Sequence, residues 1–222
     1  MLFLAVFCGF LAENFREHQL DKQREVVYMQ NMYEDLKSDT AIYSNYVATT
    51  TSFLNKIDSL EMLMNSPDRN SQLNKIYFVA RTASMLTISV FPNQRTFDQM
   101  KDAGNLRLIS NRQVADSVST YYNSLKAMSY QDLLSKDRLT DYMGAMSKVC
   151  DAQILFKILK ERKVPPLDSC KLITTDPLAI NELLVKAQYF YGSRLIQKNR
   201  VISALNSSKS LLELIKKEYH FQ

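Results

Sequence analysis

From Phe10 to Ser66 the chain contains neither glycine nor proline. These are the main interrupters of regular backbone, glycine through its conformational freedom and proline through its missing amide and fixed φ. Over the same stretch Met29, Tyr33, Leu36, Tyr43, Val47, Leu54, Ile57 and Met64 recur at helical spacing. The pattern predicts one long helix over Glu13 to Asn65 with a single apolar stripe. Thr40, Thr50 and Glu61 fall on that stripe as well, which favours packing inside a bundle over a regular coiled coil. Ser66-Pro67-Asp68 then stops the helix, since proline also biases the residue before it away from helix.

Upstream of the charged stretch Glu13 to Glu25, residues Met1 to Ala12 (MLFLAVFCGFLA) carry no charge. A spanning helix takes about 20 apolar residues, rising about 1.5 Å each, to cross about 30 Å of hydrocarbon. Twelve such residues reach only about 18 Å. A signal peptide requires a basic leader and small residues at its cleavage site, and neither is present. Phe7 is too large for the position before a lipoprotein cysteine at Cys8. A core helix of a soluble domain has a comparable length. The reading carried forward is the end of a membrane helix whose first turns lie upstream of Met1. It gives a transmembrane anchor over 1–12 and a helical bundle domain over 13–222.

The rest of the chain is also helical in pattern. Ser71 to Val90 places Leu73, Ile76, Tyr77, Ala80, Ala83 and Ser84 on one side, with Thr82, Thr87, Ile88 and Val90 weakening its end, and Phe91-Pro92-Asn93 closes it. Thr96 is the expected cap of a short helix Phe97 to Ala103, with Gly104 in the C-terminal position where a left-handed backbone costs least. Leu106, Leu108 and Ile109 form an apolar link. Asn111 caps a long helix carrying Val114, Val118, Tyr121, Tyr122, Leu125 and Met128, which persists to about Lys163 with a break expected near Ser129 or Ser135. Val164 to Thr175 is a loop set by consecutive prolines. Asp176-Pro177 starts the last helix, which runs to near Tyr219. With four glycines and five prolines in 222 residues and no sustained strand alternation, the fold class is all-α. The expected form is an antiparallel bundle of about four long helices, the first continuous with the N-terminal membrane helix.

Charge divides unevenly. Residues 13–64 hold five Lys or Arg against nine Asp or Glu, and the remainder carries a net +9 that brings the chain to +5. Complementarity within the fold accounts for this without a partner. Lys157, Lys160, Arg162, Lys163 and Lys171 form the densest basic cluster, of a kind that can meet phosphate. With no nucleic-acid recognition motif beside it, nucleic acid is not an expected partner. Tyr121-Tyr122 and Tyr189-Phe190-Tyr191 read as core and rim before they read as a ligand pocket.

Catalytic chemistry finds little support. The two histidines, His18 and His220, lie near the chain's ends, and no glutamate precedes a histidine at the spacing of a helical di-metal site. Glu34, Asp35 and Asp39 share neighbouring turns but read as a solvated face beside Lys37. No glycine-rich phosphate loop is present. Ser169 and Cys170 have no histidine near them in sequence. The three cysteines Cys8, Cys150 and Cys170 show no metal-ligand spacing, leaving only a Cys150 to Cys170 bridge as an open alternative. No catalytic, cofactor-binding or metal-ligating residue is assigned, and no enzyme activity is expected.

The passages Ala12-Glu13-Asn14-Phe15-Arg16-Glu17-His18, Tyr33-Glu34-Asp35-Leu36-Lys37-Ser38-Asp39 and Thr96-Phe97-Asp98-Gln99-Met100-Lys101-Asp102-Ala103-Gly104-Asn105-Leu106, followed by Ile109 to Asn111 and Tyr121-Tyr122, resemble an uncharacterised family of single-pass membrane proteins common in Bacteroidetes. The similarity covers roughly residues 1–125. It implies an N-terminal helix in the inner membrane of a bacterium with a helical extramembrane domain, and brings no activity or cofactor. The expected role is a membrane-anchored interaction or scaffolding module of unknown biochemical activity, such as an accessory subunit of an envelope assembly. Its partners are the lipid bilayer, through the N-terminal helix, and a protein partner or second copy. The alternative is a ligand-sensing bundle that signals through its first helix; its small-molecule ligand is not identified by the sequence.

Overall fold

The computed structural model describes residues 2–85 and 89–221. The chain is all-α, with 85% of the described residues in helix. Among the described residues there is no strand, only an isolated antiparallel bridge between Cys150 and Leu172. Six α-helices follow in order: α1 Leu2–Met64, α2 Leu73–Ser84, α3 Arg95–Asp102, α4 Arg112–Val149, α5 Ala152–Glu161 and α6 Pro177–Tyr219. Three are long, with 63, 38 and 43 residues, where the sequence predicts about four. Of the helix predicted over 71–90, α2 is the helical part; Leu86, Thr87 and Ile88 lie outside the described residues, and Ser89 and Val90 are not helical.

Contacts divide the chain into two compact units. The first comprises Met1–Tyr43, Phe91–Lys126 and Ser203–Gln222; the second comprises Ser44–Val90 and Ala127–Ile202. Helices α1, α4 and α6 contribute residues to both.

Most helix boundaries follow the local chemistry. α1 ends at Met64, just before Pro67. Asn111 accepts from the amides of Gln113 and Val114 at 2.9 and 3.2 Å, and Asp176 accepts from Leu178 N at 3.2 Å, each satisfying an orphan donor of a first turn. Gly104 takes φ 68° after α3, as its missing Cβ allows. Two expectations need correcting. Thr96 is not a cap: it lies inside α3, and its amide and hydroxyl both donate to Asp35. The break in the long helix falls at Cys150-Asp151, not at Ser129 or Ser135. Asp151 caps α5 by accepting from Gln153 N and Ile154 N, while the Ser135 hydroxyl donates to the Gln131 carbonyl at 3.0 Å and stays within the helix.

The buried stripe is more regular than the sequence suggests. Along α1 a continuous series of buried positions spaced by four and three leads from Glu25 through Met29, Met32, Leu36 and Asp39 to Met64, with Tyr33, Asp35, Leu54 and Leu63 buried beside it. The same alternation runs in α4 from Val114 to Val149, with only Leu139 half-buried, and in α6 from Ile180 to Ile215. This is a heptad seam. Of the stripe read from sequence, Tyr33 and Leu54 are buried beside the seam positions Met32 and Phe53, Val47 is half-buried next to Tyr46, and Asp39 and Leu60 hold the seam in place of Thr40 and Glu61. Thr50 does lie on the seam, fully buried.

Helix directions follow from contacts within each unit. In the first, Glu25 meets Ser110, just ahead of α4, and Asp39 meets Tyr121 further along it, so α1 and α4 run parallel. In the second, Gln197 bonds Met128, Gln131 bonds Ser193, Lys186 pairs with Asp141 and Lys148 with Glu182, so α4 and α6 run antiparallel. A wholly antiparallel arrangement is thus not formed, because the stretch with α2 and α3 returns the chain before α4 begins.

The second unit's core gathers Phe53, Tyr142 and Phe190, with ring centroids 4.7 and 5.9 Å from Phe190. Tyr77 ties its loop to the helix break. Its hydroxyl donates to the Lys171 carbonyl and accepts from Asp151 N, both at 2.6 Å. Burial raises the Tyr77 hydroxyl to about 12, so it remains a donor at neutral pH. Tyr77→Phe removes the partner of two backbone groups and is expected to cost about 1–3 kcal/mol. Urea unfolding followed by circular dichroism measures this; an unchanged midpoint rules out the tie.

Candidate functional site

The first unit presents an apolar surface with no covering. In α1, Phe3 and every residue from Val6 to Leu20 are exposed, Phe3 at 80% and Phe10 at 67%. Phe3 and Phe7 stack with centroids 6.2 Å apart. Scattered surface hydrophobes are ordinary, but a helical segment apolar on all sides is a surface that excludes water only when something covers it. The apolar stretch ends at the ion pair of Glu13 with Arg16. Among the described residues no helix is long and apolar enough to cross a membrane.

Beyond that segment, three acidic side chains of α1 become buried, and each takes a backbone amide from the stretch 93–110. Glu25 accepts from Ser110 N at 2.7 Å and from the Tyr219 hydroxyl at 2.6 Å. Asp35 accepts from Thr96 N at 3.3 Å and pairs with Arg95 at 3.1 Å. Asp39 accepts on one oxygen from Asn93 N at 2.7 Å and Asn93 Nδ2 at 3.0 Å, and on the other from the Tyr121 hydroxyl at 2.8 Å, which in turn meets the Tyr43 hydroxyl at 2.8 Å. Of the three acids read as a solvated face, only Glu34 is one, exposed and paired with Lys37. Asp35 and Asp39 are buried. The missed signal is spacing: Asp39 stands seven residues after Met32 and seven before Tyr46.

Burial raises the Asp39 carboxyl above its ordinary value, against the lowering effect of its Asn93 and Tyr121 hydrogen bonds. Burial also raises the hydroxyls of Tyr43, Tyr121 and Tyr122. Several shifted groups therefore gather; Asp39, Tyr43 and Tyr121 are joined by hydrogen bonds, and Tyr122 packs its ring against Phe97 and Tyr121.

In the second unit a polar layer crosses the seam. Arg194 is fully buried, 3.8 Å from Asp132, with Tyr46, Thr50 and Gln197 also buried. Gln197 Nε2 donates to the Met128 carbonyl at 3.0 Å, and Asp132 also receives Ser89 at 3.0 Å and Lys136 at 3.2 Å.

The other residues singled out in the sequence do not converge. His18 and His220 are exposed. Ser169 Oγ donates to the Pro166 carbonyl at 2.7 Å. Cys150 and Cys170 are free, buried thiols, and burial raises Cys150 to about 12. The cluster Lys157, Lys160, Arg162, Lys163 and Lys171 is exposed, with Lys160 lying 4.3 Å from the centre of the Phe156 ring. Tyr121, Tyr122 and Phe190 are buried, while Tyr189 is exposed. In the first unit an open groove of about 730 Å³ runs between α4 and α6, lined by short side chains such as Ser117, Thr120, Ser124, Ser207 and Ser210. Among the described residues no three His, Cys, Asp or Glu side chains are grouped to hold a metal ion.

No protein-family model, no curated protein and no solved structure matches the chain. What the geometry defines is a class: an all-helical protein whose three long helices carry heptad seams, with an apolar helical segment exposed at one end of the first.

The raised Asp39 carboxyl has a consequence for stability. The folded state holds that proton more tightly than the unfolded state, so the stabilisation it provides is complete below the ordinary carboxylate pKa and is lost as pH rises through the raised value. Asp39→Asn removes this titration. The unfolding free energy of the wild type minus that of the variant is expected to fall as pH rises from about 4 through the raised value. Urea titrations at each pH measure it; a difference that rises with pH contradicts the burial argument.

Proposed function

We propose that this chain is a membrane-anchored helical interaction module, with its apolar N-terminal segment in a bilayer and its helical units available to a protein partner. The observation that carries the reading is the exposure of Phe3 and of Val6 to Ala12, in a segment free of charge up to Glu13. A bilayer covers such a segment on every side, whereas a protein groove covers only a stripe. The anchor is a membrane helix that continues into the water-facing part of α1, in the inner membrane of a bacterium, as the resemblance to the Bacteroidetes single-pass family implies. The role is scaffolding, not catalysis. Charge supports an association with acidic partners: the first unit holds twelve basic and twelve acidic residues, and the second sixteen against eleven, so the second carries the whole net +5. The sensing alternative draws on the groove between α4 and α6, whose lining hydroxyls can meet a polar ligand.

Vesicle co-sedimentation tests the anchor. The full chain is expected to partition onto phosphatidylethanolamine and phosphatidylglycerol vesicles, and Phe7→Glu/Phe10→Glu to lose at least about tenfold in partitioning, because two buried phenylalanines contribute about 3 kcal/mol or more. Equal partitioning of the two proteins overturns the reading.

A further inference from the structure

We infer that the polar layer of Tyr46 and Thr50 from α1, Asp132 from α4, and Arg194 and Gln197 from α6 is a register lock that fixes how these helices pair in the second unit and lowers its stability in doing so. Four observations converge on it. The layer takes seam positions on all three helices, in seams otherwise built mainly from apolar side chains. Arg194 and Asp132 are a fully or nearly buried ion pair separated by 3.8 Å, longer than the contact of about 2.8 Å that repays desolvation well. Asp132 Oδ1 and Gln197 Oε1 have no hydrogen-bond partner among the described residues, and a buried polar atom without one is costly. Finally, two side-chain to backbone bonds, Gln197 to Met128 and Gln131 to Ser193, flank the layer, so sliding α6 along α4 breaks both.

An apolar heptad seam accepts a slip of seven residues with little penalty, because each slipped side chain again meets an apolar one. Here the slip has a large one. Moving α6 by a heptad places Val201 or Ala187 opposite Asp132 and removes the fully buried guanidinium of Arg194 from its carboxylate. The layer thus discriminates among registers that the apolar positions leave nearly equal, and its unsatisfied atoms are the cost of that discrimination.

The test uses the full chain. Asp132→Leu takes the carboxylate from beside the buried Arg194 guanidinium, and Arg194→Leu takes the guanidinium from Asp132, which keeps Lys136 and Ser89; each is expected to lower the melting temperature by about 10 °C. The combined variant Thr50→Val/Asp132→Leu/Arg194→Leu/Gln197→Leu is expected to melt at or above the wild type, yet to show several sets of amide resonances or mixed oligomers where the wild type shows one. A combined variant that melts below both single variants means the layer stabilises the unit, and the proposal fails. A combined variant that melts high with one set of resonances and one species removes the register role, and the proposal also fails.

Discussion

The alternation of four and three residues between buried positions in α1, α4 and α6 determines which side chains leave water before polarity has any say. A helix that presents a continuous stripe to its neighbours cannot skip a position; whatever residue stands there is buried. In α1 this places Glu25, Asp39 and Thr50 inside together with Met29, Leu36 and Phe53. The rest of the structure is largely the set of arrangements by which those polar residues are made tolerable.

The two units answer the same problem differently. In the first, carboxylates meet backbone amides: Ser110 N, Thr96 N and Asn93 N each end on an acid of α1. A link between helices must put its amides somewhere, and a buried carboxylate accepts up to four hydrogen bonds, so the needs of link and acid cancel. In the second, polar side chains on the seam face one another instead, and Asp132 Oδ1 and Gln197 Oε1 stay unmet. The first arrangement fastens a segment to a helix, whereas the second opposes displacement of one helix along another.

How much of this can be read from sequence depends on the range of the interaction. Asn111, Asp176-Pro177, Pro67 and Gly104 act on their own turn, and each does what local chemistry predicts. Thr96 misleads because its capping signal is also local, while its partner, Asp35, is 61 residues away. Asp151 is overlooked because the chain on both sides of it is helical, so nothing but the cap itself marks the break. Asp39 is overlooked because its charge hides a seam position that lies seven residues after Met32 and seven before Tyr46. Register is set by three helices together, and no single helix's pattern contains the other two.

Charge follows the same logic of compensation. The acidic start of the chain is balanced within the first unit. Its residues 1–43 carry net −3, residues 91–126 net +2 and residues 203–222 net +1, so the unit is neutral. Three of the acids are spent inside on amides and hydroxyls. A neutral unit neither repels nor strongly attracts an anionic lipid surface at a distance, since the field beyond about 10 Å depends on net charge and salt. Its attachment to a bilayer therefore falls to the apolar segment from Phe3 to Ala12, whose contribution grows with buried area and hardly depends on salt. The surplus of positive charge in the second unit is long-ranged and salt-sensitive. Anchoring and partner attraction are thereby assigned to different physical forces, and changing ionic strength separates them.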